Sequence, residues 1–296
     1  MATLYTEQSN NVWKTWALMS AFLVIVIGLG YVFQTLFDYP NILYFFVAFS
    51  LIMNITSYWF SDKIALSLAK AHPATREQYF DFYTIVENLA ITAGLPMPKI
   101  YVIEDPSPNA FATGRNKNHA VVAVTTGLLS IMNKSELEGV VAHEMSHIGN
   151  KDMLVSTVAV VLVGFVAIVS DMMMRMSIFG GHRDNDRGSG LLMIIGIVVA
   201  ILAPIAATLI QLGISRKREY LADASGALLT RYPEGLASAL EKISQYGRPM
   251  QSQSGAIAHL YIANPLGSGK FRKSVGSLFS THPPVEERIK RLRGSL

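Results

Sequence analysis

The chain contains no cysteine. That excludes disulfides and thiolate metal ligands, so any bound metal must be held by His, Asp or Glu. It does not decide the compartment. Charge is scarce as well. Lys, Arg, Asp and Glu make up 16% of the 296 residues, against about 25% in a soluble globular chain. The mean hydropathy is +0.33 and the hydrophobic fraction 51%, so part of the chain is built to sit in a lipid bilayer. The net charge is +4. No basic stripe with interleaved aromatics accompanies it, and nucleic acid is not an expected partner. Lys and Arg in such a chain more often mark the cytoplasmic flanks of membrane spans.

Four apolar runs occupy residues 16–33, 42–60, 153–174 and 191–212. The first two carry no charged residue; the third is broken only by Asp171, and the fourth contains Pro204. A spanning helix needs about 20 mostly apolar residues, and Pro is tolerated in membrane helices. The first run lacks a small-residue cleavage site before Asp38-Tyr39-Pro40 and is followed at once by the second. A retained helical hairpin is therefore expected rather than a signal peptide. The expected organisation is a transmembrane hairpin (1–60), a catalytic block (61–152), a second transmembrane hairpin (153–212) and a second catalytic block (213–296). In the first block an amphipathic stretch over 75–93 ends near Gly94-Leu95-Pro96, and β-like segments follow at 99–103, 111–113 and 120–125. The second block reads as helices over 233–246 and 284–292. The loop over 180–190 is turn-rich.

The most informative segment is Ala142-His143-Glu144-Met145-Ser146-His147. Ser135 and Glu138 have capping-box spacing, which predicts a helix starting there. Residues four apart share a helical face, so His143 and His147 can direct both imidazoles at one ion. Glu144 then reaches a metal-bound water rather than the metal. This is the H-E-x-x-H arrangement of zinc-dependent peptide hydrolysis. Matches of this length also occur by chance, and a catalytic zinc needs a third protein ligand. Arg218-Glu219-Tyr220-Leu221-Ala222-Asp223 offers one: Glu219 as ligand, with Asp223 one turn on to accept from a ligand imidazole. The bland alternative is a solvated helix face. His72, His119, His182 and His259 lack ligand-like spacing.

Taken together, the H-E-x-x-H and Glu-x-x-x-Asp segments resemble the gluzincin metalloproteases. Asn109-Ala110-Phe111-Ala112-Thr113-Gly114, Thr125-Thr126-Gly127-Leu128-Leu129, the stretch from His143 to Asp152, and Thr281-His282-Pro283-Pro284 narrow the resemblance to the HtpX membrane proteases, relatives of the CAAX prenyl proteases. The resemblance covers nearly the whole chain. It implies an α-helical membrane protein with a mainly α (α+β) zincin-like metalloprotease domain and a small β-sheet. It implies one zinc ion (Zn2+) per subunit, a bacterial inner-membrane location and a cytoplasmic active site. It also implies a stress-response role, with misfolded or damaged membrane proteins as substrates. Two further sites carry over. Asn109 and Ala110 match an edge strand that binds substrate backbone, although Pro106-Ser107-Pro108-Asn109 also reads as an ordinary turn. His282 matches a donor to the reaction's oxyanion, although Pro283 and Pro284 also read as a helix entry.

The competing functions are a specific processing protease for lipidated or signal-bearing peptides, and a membrane scaffold or chaperone locked by zinc. The second would require a closed site with four protein ligands, whereas three ligands beside Glu144 describe an open one. Oligomeric state is not legible.

The metal site constrains topology. His147 and Glu219 lie on either side of the third and fourth runs, so both blocks must share one membrane face. Lys14 precedes the first run, the short loop 34–41 has neither Lys nor Arg, and Lys63, Lys70 and Arg76 follow the second run. The positive-inside rule therefore puts the N-terminus and the first block in the cytoplasm. Around the second hairpin Lys151, Arg216, Lys217 and Arg218 at its ends stand against Arg175, Arg183 and Arg187 in its loop, so the shared metal rather than charge places the second block on the same side. Single cysteines replacing Tyr39, Asn185 or Gly255 test this in the cysteine-free background. An impermeant thiol reagent on intact cells is expected to label the first two and spare the third; labelling at 255 reverses the orientation.

Overall fold

The computed structural model describes residues 4–37, 41–159, 161–162, 216–251, 257–265 and 283–294. The expected fourth apolar run, the 180–190 loop and His282 lie outside the described residues, as does most of the third run.

Helices α1 (Leu4–Phe37) and α2 (Asn41–Leu68) form an antiparallel hairpin. Each is long and apolar enough to cross a membrane. The seam between them is packed by Leu18, Phe22 and Val26 against Phe46, Phe49 and Met53. A Cβ on Gly30 would lie 2.6 Å from the Cβ of Phe46, so glycine is what lets the helices approach there. The outward faces are apolar too. Val24 is 66% exposed and Ile52 61%, surface that is unfavourable in water and suited to lipid. Exposed aromatics sit at two levels: Trp13, Trp16 and Trp59 at one, Tyr31 and Tyr44 at the other. Trp16 stacks on Tyr58 across the hairpin. Fifteen residues separate Trp16 from Tyr31, about 22 Å of helix, the arrangement of an interfacial aromatic belt.

Helix α2 does not stop at the end of the apolar run. Its last turns carry Ala65 and Leu66 into a buried cluster with Ile103, Phe111 and Tyr261, so the anchor continues into the polar block without a linker. That block contains a four-stranded sheet of β1 (His72–Pro73), β2 (Lys99–Ile103), β3 (Ala110–Thr113) and β4 (Val121–Thr125), in the order β1-β2-β4-β3. Strand β2 runs parallel to β4; β3 pairs with β4 antiparallel and lies at the edge. The expected strand segments are present. Helix α3 begins only at Phe80 (Phe80–Ala93), because residues 75–79 form a turn in which Tyr79 N–H donates to Thr75 O. It ends on Gly94 in the left-handed region, φ +63°.

Helix α4 (Thr126–Ile131) precedes the motif helix α5 (Lys134–Gly149). The α5 capping box is not Ser135 with Glu138 but Asn133 with Glu136, two residues earlier. Asn133 Oδ1 accepts from Glu136 N–H, and Glu136 Oε2 accepts from Asn133 N–H. Glu136 is the better partner because its carboxylate is buried and doubly used: Ser238 and Lys242 donate to it, each at 2.7 Å. Burial alone would push that carboxyl up, and these donors hold it below the usual range.

Helices α6 (Arg216–Thr230), α7 (Pro233–Tyr246) and α8 (Val285–Arg293) complete the block. Their apolar faces join α3, α5 and the sheet in one core that includes Val86, Val140, Met145, Leu236 and Leu292. After α5 the chain turns at Asn150 and Lys151 (φ +58°), and residues 152–159 and 161–162 are again helical, with Val158 and Leu162 packed on the hairpin seam.

Contact between α5 and α7 depends on glycine. A Cβ on Gly139 would fall 2.5 Å from Leu236 N, and one on Gly235 would fall 2.5 Å from Ser135 O. Backbone cannot yield as a side-chain tip can. Gly139→Ala is expected to destabilise the protein by about 1–3 kcal/mol, read as a lowered melting temperature in detergent. Gly28→Ala, where a Cβ meets nothing within 4 Å, is the control; equal melting of the two variants would refute this packing.

Candidate active site

His143 and His147 occupy successive turns of α5, and Glu219 lies in the first turn of α6. The two helices are brought close by Gly226, whose Cβ would stand 2.9 Å from His143 N. His143 Nε2 lies 3.3 Å from His147 Nε2 and 3.8 Å from a Glu219 oxygen, and His147 Nε2 lies 3.6 Å from the other Glu219 oxygen. Zinc held tetrahedrally at 2.0–2.1 Å implies ligand atoms about 3.3 Å apart. The three groups fit such an ion: one ligand atom from each lies within 4.8 Å of the others. Glu219 and Asp223 are 8% and 4% exposed, which rules out a solvated helix face.

The far side of each imidazole is also engaged. His143 Nδ1 lies 3.0 Å from Asp223 Oδ1, and His147 Nδ1 lies 3.2 Å from Asp152 Oδ2. A proton on each Nδ1, donated to these carboxylates, leaves both Nε2 lone pairs facing the shared point. Glu144 is buried beside them, 2% exposed.

Two buried carboxylates demand compensation. Asp223 receives it from Arg288 on α8, whose Nε and Nη2 donate to its two oxygens at 2.9 and 2.6 Å. Burial pushes the Asp223 carboxyl up, but the Arg288 charge and the hydrogen bonds from His143 and Arg288 bring it down to about 2. Arg288 is fully buried, and its Nη1 lies 3.9 Å from Glu219. Sequence reasoning missed Arg288. The available signal was its place on the apolar stripe of α8, among Val285, Ile289 and Leu292, where a lone charge needs a buried partner. It also missed any role for Asp152 and for Asn11 on α1, whose Nδ2 donates to Asp152 Oδ1 at 2.5 Å.

Asn109 is 2% exposed. Its Nδ2 donates to Ala263 O at 2.9 Å, and its Oδ1 accepts from Ala263 N–H at 3.2 Å. Ala110 O accepts from Ile262 N–H. The β3 edge at these two residues is thus covered by the segment 257–265, and Arg288 Nη1 donates to Ile262 O from the site side.

The field at the site favours a cation. Burial pushes the His147 imidazolium down, but the Asp152 hydrogen bond and the charges of Glu219, Asp152 and Glu144 outweigh it, raising the group from 6.5 to about 9. In metal-free protein the stability contributed by this proton is fully present below about 6.5 and lost as pH rises through about 9. Melting of the metal-free protein is expected to fall between pH 7 and 9.5, values on the order of that window. The slope should vanish in His147→Ala, and its persistence there would show that another group causes it.

Comparison with known proteins gives the same reading. The family model for peptidase family M48 matches residues 77–296. A "Protease HtpX homolog" of Caldanaerobacter subterraneus subsp. tengcongensis is 46% identical over 297 residues, covering 98% of this chain and 97% of that protein. A protein of the same description from Tropheryma whipplei is 52% identical over 236 residues, covering 80% of this chain and 79% of its own. The crystal structure of S. mikatae Ste24p shares the fold, with a TM-score of 0.52 at 17% identity over 97% of this chain and 67% of that one. The chain therefore belongs to peptidase family M48, among the zinc metalloproteases of the HtpX type.

Proposed function

We propose that the protein is a multi-pass endoprotease of the bacterial inner membrane that cleaves misfolded or damaged membrane proteins at a cytoplasmic zinc site, as part of quality control under stress. The observation that carries this is the convergence of His143 Nε2, His147 Nε2 and Glu219 beside a buried Glu144. These three residues hold one zinc ion, and three protein ligands leave a position for water and substrate. Bound zinc supplies polarisation of the scissile carbonyl and lowers the pKa of the attacking water.

The chain's own groups do the rest. Glu144 accepts the proton of the attacking water at its carboxylate and delivers it to the departing amine. Asp223 and Asp152 keep the imidazoles in the tautomer that binds metal. His282 is assigned the donor role toward the oxyanion; support comes from the match of Thr281-His282-Pro283-Pro284 to the family pattern. Asn109 and Ala110 form the substrate-side edge. Because Ile262 and Ala263 cover it, Asn109 acts by fixing that wall. An extended peptide meets β3 at Ala112, the next residue facing the same way. The hydrogen bond from Asn11, at the start of α1, to Asp152 supports a site at the membrane surface.

Glu144→Gln is expected to retain zinc and lose about 10²–10⁴-fold in casein cleavage. Metal content and residual cleavage are measured on the same purified sample. Cleavage close to that of the parent by a zinc-loaded variant would remove Glu144 from the mechanism.

A further inference from the structure

Helix α1 buries the stripe Asn11, Thr15, Leu18, Phe22 and Val26, spaced by three or four residues. Four of these positions are what a membrane helix needs: three apolar side chains, and a Thr whose Oγ1 donates back to Asn11 O. Asn11 is the exception. It is 1% exposed, and its amide has no use within its own helix. A fully buried side-chain amide is costly unless its hydrogen bonds are made, so its partners are what hold it there.

The amide instead leaves the helix. Nδ2 donates to Asn150 O at 3.2 Å and to Asp152 Oδ1 at 2.5 Å. Oδ1 accepts from Arg218 Nη1 at 3.5 Å. Arg218 Nε in turn lies 4.0 Å from the same Asp152 oxygen. Asp152 thus divides its carboxylate: Oδ1 faces Asn11 and Arg218, while Oδ2 faces His147 Nδ1. A carboxylate held at one oxygen cannot turn about its axis, so the other oxygen is fixed. Asn150 and Asp152 follow α5, which carries His143 and His147; Arg218 immediately precedes Glu219 on α6. One amide on the first membrane helix therefore braces the exit of one ligand-bearing helix against the start of the other.

We propose that Asn11 is a positioning residue of the metal centre, through which the first membrane helix sets the orientation of His147. The proposal rests on the reading that His143, His147 and Glu219 hold the metal. Its consequence is that the site reaches full metal affinity only when α1 is docked on the catalytic block. The anchor is then part of the centre's outer shell as well as a tether.

Full-length protein in detergent is compared as parent, Asn11→Leu, Asn11→Asp and the exchanged pair Asn11→Asp/Asp152→Asn. Leucine keeps the stripe apolar and removes only the amide. Zinc affinity is read by competition with a chromogenic chelator on monodisperse protein, and ligand geometry by the visible spectrum after cobalt(II) substitution. Asn11→Leu and Asn11→Asp are expected to bind zinc about 10–100-fold more weakly, with shifted cobalt bands. The exchanged pair restores an amide facing a carboxylate, with an oxygen still toward His147 Nδ1, and is expected to recover most of the loss seen in Asn11→Asp. Parental zinc affinity and an unshifted cobalt spectrum in both single variants, even with a lowered melting temperature, would make Asn11 a packing residue and overturn the proposal. An exchanged pair no better than Asn11→Asp overturns it too. His147→Ala separates the layers: if that variant keeps parental zinc affinity, the ligand assignment itself is wrong.

Discussion

The site depends on holding two imidazoles in one tautomer. An imidazole that can present either nitrogen is a weak metal ligand; one whose Nδ1–H is committed to a carboxylate presents Nε2 alone. Asp223 commits His143, and Asp152 commits His147. Each solution creates a new demand, because a buried carboxylate without a partner is strongly destabilising. Arg288 meets the demand at Asp223 with two charge-assisted hydrogen bonds. Asn11 and Arg218 meet it at Asp152. Helix α8 and helix α1 therefore each supply a partner to a carboxylate beside the proposed metal centre, although neither carries a proposed ligand.

The rest of the fold serves the same constraint. Ligands on two helices can converge only if the helices nearly touch, and Gly226 permits this at the level of His143. Helix α7 supports α5 from another side through the Gly139–Gly235 contact and through Glu136, which ties Ser238 and Lys242 to the α5 capping box. Glycine at three positions thus sets how closely α6 and α7 approach α5.

Much of this was legible in the sequence, for a physical reason. The motif helix, its two histidines, and the Glu219–Asp223 pair are periodic signals within single helices, and four-residue spacing reports a shared face without tertiary information. The strands over 99–103, 110–113 and 121–125 were expected from short apolar runs and stand within one residue of that reading. What the sequence did not disclose lies between distant segments. Asn11 and Asp152 are 141 positions apart, and Asp223 and Arg288 are 65. No local pattern reports such a pair. The cap of α5 was misplaced for a related reason: Ser135 with Glu138 and Asn133 with Glu136 have the same spacing. Only the donors Ser238 and Lys242, about a hundred residues away, favour the second.

The same packing restricts what can be cut. Strand β3 is one edge of the sheet, but it is closed at one end by Ile262 and Ala263 on Ala110 and Asn109. At its other end Thr113 bonds to Thr157, in the helical residues that lead from the site to the hairpin. On the proposed reading, substrate backbone pairs at Ala112, between these two closures. A folded domain cannot offer a strand to so short an edge, because its own backbone groups are already paired. A locally unfolded segment can, since its donors and acceptors are available and its extended form matches the strand. On that reading the selection is for locally unfolded segments rather than for a particular residue sequence. That is the discrimination a quality-control protease needs.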